Sequence, residues 1–354
     1  MRCPTLNELP PPPPGKTGWP WTEESPQLPD TMPDGSPWPR VSIVTPSYNQ
    51  GQFIEETIRS VLLQGYPNLE YIIMDGGSTD DSVDIIRKYE AWLGYWVSEK
   101  DRGQSHAINK GWKRATGEIL AYLNSDDLYL PGTVQRAAKA MVENLECGMV
   151  YSDGLWINEK GDSLKLQRCE PLDARRLLTG KHKTAIPQPT AFIRQLALDD
   201  IGYLDESLQM GMDYDLWFKL SLRYNLQYIE GKPLAALRFH ADQKTNTRTL
   251  EARLEGLVIM ERTLRDPRCP KDTARKASPV TIRRYLDIAG IYLGEHRDFR
   301  TALDYFMRAL KAGPLNTAWQ LGYRALGRIY WSVLPTSWRE FIRRLRGVDD
   351  SVVM

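Results

Sequence analysis

No stretch of this 354-residue chain reaches the roughly 18 apolar residues needed to cross a bilayer. Nor does the N-terminus carry the apolar segment of a secretory signal. Cysteine is scarce. Cys3, Cys147, Cys169 and Cys269 are scattered without a Cys-x-x-Cys pair, which suits neither a zinc ribbon nor a disulfide framework and leaves reduced thiols as the expectation. An excess of one charge is missing too. Lys and Arg number 46 against 45 Asp and Glu, for a formal net charge of +1, so nothing global calls for a nucleic-acid partner. Together these absences place the chain in the cytoplasm, as an expectation. What is present suffices for a large core: 42% hydrophobic residues beside 26% charged ones. The length suggests one large domain with an appendage, or two domains.

Proline is concentrated at one end. Residues 1–39 hold 12 of the 24 prolines, including the run Pro10 to Pro14. A segment so short of backbone donors makes neither helix nor central strand, and 1–39 is expected to be a disordered or polyproline tail. Order is expected from Val41. The short β-branched run Val41 to Val44, the run Leu69 to Met74, Tyr95 to Val97 and Glu118 to Leu123 read as strands. Between them Phe53 to Leu62, Val83 to Ile86 and Ala107 to Ala115 read as helices by apolar spacing, with Thr79 or Asp80 as a cap. This alternation predicts an α/β fold, a mostly parallel sheet flanked by helices, over 40–245. Residues 133–145 predict a helix, 148–151 a strand and 213–224 another helix. Helical spacing dominates 246–354, read as a C-terminal helical appendage. Within it 284–312 reads as a helix pair, too few repeat units for a solenoid.

In an open α/β sheet ligands bind beyond the carboxyl ends of the strands. Three polar clusters fall there: Thr45-Pro46-Ser47-Tyr48-Asn49, Asp75-Gly76-Gly77-Ser78 and Asn124-Ser125-Asp126-Asp127. Each alone has a plain structural explanation. Ser47 or Asn49 can cap a helix, Gly76 and Gly77 can serve a tight turn, and Asp126 and Asp127 can form a turn before Pro131. Their recurrence on successive strand ends favours a shared site, in which Asp75 is expected to face solvent until a ligand arrives.

Taken in order, Pro46-Ser47-Tyr48-Asn49, Asp75-Gly76-Gly77-Ser78-Thr79-Asp80, Asn124-Ser125-Asp126-Asp127 and Asp213-Tyr214-Asp215-Leu216-Trp217 resemble the motifs of the family 2 glycosyltransferases. The resemblance covers about residues 40–245. It implies a GT-A fold and inverting transfer of a sugar from a nucleotide-sugar donor, UDP-linked, to an acceptor hydroxyl. It implies that Tyr48 stacks on the base and that Asp75 accepts from its ring N–H, with Pro46 and Asn49 beside them. The segment Gly103-Gln104-Ser105-His106-Ala107-Ile108-Asn109-Lys110-Gly111 would lie along the diphosphate, bringing Gly103, Gln104, Asn109 and Lys110 to the donor. Asn124-Ser125-Asp126 stands where the family has Asp-x-Asp. Asp126 would then hold Mn²⁺ or Mg²⁺, with Asn124 and Ser125 on the donor. The change of the first Asp to Asn124 removes one negative charge. Asp213 matches the general base, and Gln188 in Pro187-Gln188-Pro189-Thr190 is placed near the acceptor. His240, after Leu237-Arg238-Phe239, matches a histidine that approaches the metal or diphosphate, and Arg238 and Lys244 would add positive charge there.

Other features carry less. His106 reads as a helix-face histidine, His182 as part of a basic loop and Trp217 as core. The stretch from Trp338 to Arg346 is basic and amphipathic. It reads either as a solvated helix end or as a helix docked on the anionic inner face of a membrane, which would suit a lipid-linked glycan acceptor. Two rivals remain at this level. A nucleotidyltransferase would want Lys or Arg near the first strand, which Thr45 to Gly51 lacks. A non-catalytic nucleotide- or glycan-binding module would not need Asp126 and Asp213.

Overall fold

The computed structural model describes residues 1–179, 186–240, 249–318 and 320. It divides into two compact units, Met1–Ala274 and Arg275–Met354.

The first unit begins its sheet where apolar runs are longest. Strands β1 (Val41–Ser47) and β2 (Leu69–Asp75) are buried along their whole length, as the continuous runs of a sheet covered on both faces must be. They pair in parallel from Val41↔Leu69 to Ser47↔Asp75. Helix α1 (Ile54–Leu62) connects them. Helix α2 (Ser82–Lys88) leads to β3 (Tyr95–Ser98), and α3 (Gln104–Arg114) to β4 (Ile119–Tyr122). Strand β1 runs through Pro46, beyond the expected end at Val44. Pairing with β4 stops at Val44↔Tyr122, so the proline falls where that neighbour makes no further ladder bonds.

After β5 (Leu128–Tyr129) and α4 (Thr133–Glu143) come β6 (Cys147–Ser152), β7 (Gly154–Ile157), β8 (Ser163–Gln167) and α5 (Ala174–Thr179). Then follow β9 (Phe192–Arg194), α6 (Gln195–Ile201), α7 (Met212–Ser221), β10 (Asn225–Ile229) and β11 (Ala235–Arg238). The main sheet has the order β10-β6-β9-β4-β1-β2-β3, and a second sheet the order β5-β11-β7-β8. Only β9 runs against its neighbours in the main sheet, so the expected α/β class, mostly parallel and flanked by helices, is what forms. Helix α8 (Thr249–Arg265) completes this unit. The boundary expected at 245 therefore falls later: α8 packs with α7, and the first unit runs to Ala274.

The expectation of a disordered tail at 1–39 is corrected. Cys3, Leu9, Trp21 and Trp38 are buried in the first unit. The proline carbonyls find donors from elsewhere in the chain. The buried Arg59 guanidinium on α1 donates to Pro10 O at 2.8 Å, Pro20 O at 3.0 Å and Trp21 O at 3.0 Å. In the opposite direction Trp19 Nε1 donates to Tyr129 O at 2.8 Å. At Gly65, φ is +64° and an added Cβ would stand 2.2 Å from Pro26 O, so only glycine lets the segment lie this close.

The second unit contains a helix pair, as 284–312 suggested. Helix α9 (Lys271–Gly294) enters it, and α10 (Phe299–Ala312) begins at Asp298, which accepts from Thr301 N at 3.1 Å. Tyr292 and Tyr305 stack with centroids 6.0 Å apart. No helix among the described residues is long and apolar enough to cross a membrane. His182, Lys244 and the basic stretch 338–346 lie outside the described residues.

Candidate active site

The carboxyl ends of β1, β2 and β4 meet at one side of the main sheet, and turn chemistry decides which side chains reach the surface there. Asp75 ends β2 facing inward, 2% exposed. Its Oδ2 accepts from Gly77 N at 3.1 Å, Ser78 N at 2.9 Å and Ser98 Oγ at 2.6 Å, and its Oδ1 from Ser78 Oγ at 2.5 Å. The solvent-facing carboxylate expected here is thus corrected: the turn after β2, with Gly77 at φ +83°, closes its own amides onto it. Asn49 adopts φ +52° and accepts from Thr79 N at 2.8 Å. Asp80 accepts from Gly51 N and Ser82 N. The first two motifs therefore lock the β1 and β2 loops to each other.

Beside this lock lies a cleft of about 420 Å³, within the usual range for small-molecule sites. Pro46 and Tyr48 border it from the β1 loop, with the Tyr48 ring 60% exposed. Gly103 and Gln104, at the N-terminus of α3, border it on another side. Helix α3 sits close because Gly111 rests on β1, where an added Cβ would come within 2.5 Å of Val44 Cγ1. Its two other expected donor residues face elsewhere. Asn109 is buried and clasps Leu204 through both its backbone N and O at 3.1 and 2.9 Å. Lys110 pairs with Glu99. Neither lines the cleft, nor do Asn49 and Asp75. His106 contacts Arg102 N at 3.4 Å and also stays off the cleft.

The third motif supplies the floor. Gln104 Nε2 donates to Asn124 Oδ1 at 2.6 Å, Asn124 Nδ2 to Gln188 Oε1 at 3.3 Å, and Gln188 Nε2 to Tyr122 O at 2.9 Å. This amide chain places Gln188 in the same cleft as Asn124, Ser125 and Asp126. His240 Nε2 lies 3.0 Å from Asp126 Oδ2. The neighbouring Asp127 points inward and accepts from Arg238 N at 3.0 Å. Burial, and then the charge of Asp126, push its pKa well above the usual carboxylate range. Arg238 itself is fully buried. It donates to Asp126 O at 3.0 Å, Asn158 O at 3.1 Å, Glu159 O at 2.9 Å and Glu56 Oε2 at 2.9 Å. It props the Asp126 loop from behind and brings no charge to the cleft, contrary to expectation.

Asp213 lines the cleft from the first turn of α7. It is half-buried, and burial raises its pKa. Asp215, on the same turn, faces away into an ion pair with Lys219 Nζ at 2.7 Å. Trp217 is core, as expected.

Residues 42–202 match the family described as Glycosyl transferase family 2. Over 215 residues the chain is 33% identical to an uncharacterised glycosyltransferase of Rickettsia typhi, covering 59% of this chain and 67% of that one. The chain belongs to glycosyl transferase family 2. A putative teichuronic acid biosynthesis glycosyltransferase of Bacillus subtilis is 36% identical over 138 residues, 38% of this chain and 51% of the relative. Two solved structures share the fold. One is TarS of S. aureus in complex with UDP-GlcNAc, with TM-score 0.61, 17% identity and coverage of 77% of this chain and 81% of that one. The other is mannosyltransferase PcManGT of Pyrobaculum calidifontis in complex with GDP-Man and Mn²⁺, with TM-score 0.52, 20% identity and coverage of 90% and 91%.

The cleft of this glycosyltransferase is also lined by residues that motif reading passed over. Asp101 lines the cleft and accepts from Gly103 N at 2.7 Å. It follows β3, so the strand-end rule would have found it had that short strand been weighted equally. Gln50, Gln209, Met210 and Met212 line the cleft as well. Gln209 and Met210 lie in the loop before α7 and Met212 begins that helix, in a stretch whose sequence has no recognisable pattern.

Proposed function

We propose that this glycosyltransferase moves a sugar from a UDP-linked donor to a hydroxyl of a glycan or lipid-linked glycan, inverting the anomeric centre, during synthesis of a cell-surface polysaccharide or glycolipid. The observation that carries the reading is convergence. Asp126, Asp213 and the N-terminus of α3 border one cleft. The α3 N-terminus offers backbone amides and a positive dipole end, suited to a diphosphate. Tyr48 offers an exposed ring for the nucleobase, with Pro46 beside it. Asp75 and Asn49 contribute by holding the β2 loop and the β1 loop that carries Tyr48. Asn124, Ser125 and Gln104 are suited to the ribose and sugar hydroxyls, and Gln188 to the acceptor.

Asp213 would take the proton of the acceptor hydroxyl as its oxygen bonds the anomeric carbon and the bond to the diphosphate breaks. A carboxylate whose pKa is raised toward neutrality is a stronger base for this step. Mn²⁺ or Mg²⁺ fits the donor set as a shared ion. Among the described residues no three His, Cys, Asp or Glu side chains form a cage, whereas a half-buried Asp126 beside His240 suits a cation that takes its remaining ligands from diphosphate and water. Bound there, the cation would neutralise the leaving diphosphate. His240 would orient Asp126 and stand within reach of the same ion. The names of the relatives, including one assigned to teichuronic acid synthesis and two solved with nucleotide sugars, favour this substrate class. The 338–346 stretch remains a proposed peripheral contact with the membrane carrying the acceptor.

A thermal-shift screen of nucleotide sugars with and without Mn²⁺ tests the proposal. At least one UDP-sugar should raise the melting temperature, more so with Mn²⁺. No shift with any nucleotide sugar would overturn it.

A further inference from the structure

Helix α8 lies outside the stretch that matches the family, and no sequence motif drew attention to it. Its side chains nevertheless grip the segment that presents Asp213. Glu255 Oε1 accepts from Gln209 N at 2.8 Å, and Glu255 Oε2 accepts from Met210 N and Gly211 N, each at 2.8 Å. These amides lie at and just before Gly211, the N-cap of α7, so the carboxylate binds the turn that leads into the helix. It stands at the end where the helix dipole favours negative charge.

The fit at Gly211 is close. An added Cβ would stand 2.6 Å from Ile259 Cδ1, and Ile259, one turn beyond Glu255, is fully buried. Two turns beyond Glu255, Arg262 Nη1 reaches Asp205 Oδ2 at 3.0 Å and Asp215 Oδ1 at 3.5 Å. One face of α8 therefore holds the backbone just before Asp213 and the side chain just after it. Glu255 does not itself line the cleft, but Gln209, Met210, Met212 and Asp213 do.

We propose that Glu255 is a positioning residue for sugar transfer: its carboxylate fixes the 209–211 backbone and so sets where the Asp213 carboxylate stands relative to the acceptor hydroxyl. The inference rests on Asp213 being the general base. A carboxamide cannot replace the carboxylate, because its nitrogen would face an amide donor where an acceptor is required. A small displacement of a base is costly to catalysis, whereas Glu255 bonds to 209–211 and not to the β1 loop or α3, which form the donor end of the cleft.

The test compares wild type with Glu255→Gln. Turnover is read as nucleotide release from the best donor of the screen at saturating donor, and donor-site integrity as UDP affinity by calorimetry with Mn²⁺. Amide exchange by mass spectrometry reports on 209–213 independently of activity. The expected result is a fall in kcat of about tenfold or more, UDP affinity within about twofold, and faster exchange confined to 209–213. A wild-type kcat, or exchange unchanged at 209–213, overturns the inference. Should Glu255→Gln not fold, Glu255→Asp, which keeps the charge on a stem one carbon shorter, is judged by the same criteria. Asp213→Asn is measured alongside. If it retains transfer, the base assignment fails; if it is inactive while Glu255→Gln turns over normally, only the role of Glu255 fails.

Discussion

His240 Nε2 stands 3.0 Å from Asp126 Oδ2, which ties the end of β11 to the loop after β4 across 114 residues of sequence. The contact leaves Asp126 one carboxylate oxygen for a cation and fixes the direction in which it points. Loss of an orienting partner of this kind costs about 10–100-fold in metal affinity or activity. His240→Ala should therefore raise the Mn²⁺ concentration needed for half-maximal rate by about tenfold or more. Superimposable metal titrations for variant and wild type would leave His240 with a purely structural role.

Asp75→Ala should cost stability as well as UDP affinity. The carboxylate is buried and satisfies Gly77 N, Ser78 N, Ser78 Oγ and Ser98 Oγ. Its removal strands these donors at a cost of about 2 kcal/mol. Urea denaturation is the measurement. An unchanged midpoint would restore the simpler view, from sequence, of a solvent-facing ligand residue.

Arg59→Ala should loosen the proline-rich segment. Three carbonyls, of Pro10, Pro20 and Trp21, lose their donor together, which predicts a loss of about 3 kcal/mol or more. Limited proteolysis should then cut within 1–39 while the rest of the first unit stays intact. Equal resistance in both proteins would show that the buried tryptophans alone hold the segment.

These two cases mark where the sequence was legible. Strands β1, β2 and β4 announce themselves as apolar runs, and their polar ends fall at the cleft, so Pro46, Tyr48, Asn124 and Asp126 were found from local pattern. Position at a strand end does not fix side-chain direction. Asn49 stands beside Tyr48, yet its side chain accepts from Thr79 N of the neighbouring loop, and the turn with Gly77 at positive φ closes onto Asp75 and holds it inward. The proline-rich segment was misread because composition counts its own donors, whereas the donors it uses come from Arg59, 39 residues beyond Pro20. Glu255 is still less visible. It acts on backbone amides 44 to 46 residues away, and backbone amides carry no sequence signature.

Asp213 also predicts a pH dependence. Burial raises its pKa, so the folded protein keeps the proton to a higher pH than the unfolded chain does. Stability then falls as pH rises from about 3.9, the ordinary Asp value, through the folded value, and the deficit is complete above it. Asp213→Asn abolishes that deficit. The variant should melt above wild type near neutral pH and converge with it below about pH 4. A variant that melts lower than wild type at neutral pH would mean that the charged form is stabilised by the fold.

The same substitution tests the central claim. Initial rates of sugar transfer and UDP affinity, measured together for wild type, Asp213→Asn and Asp215→Asn, separate proton transfer from donor binding. The account predicts that Asp213→Asn binds UDP as wild type does and transfers at least about a hundredfold more slowly, whereas Asp215→Asn, altered only in its pairing with Lys219 and Arg262, retains transfer. An active Asp213→Asn beside an inactive Asp215→Asn would contradict it.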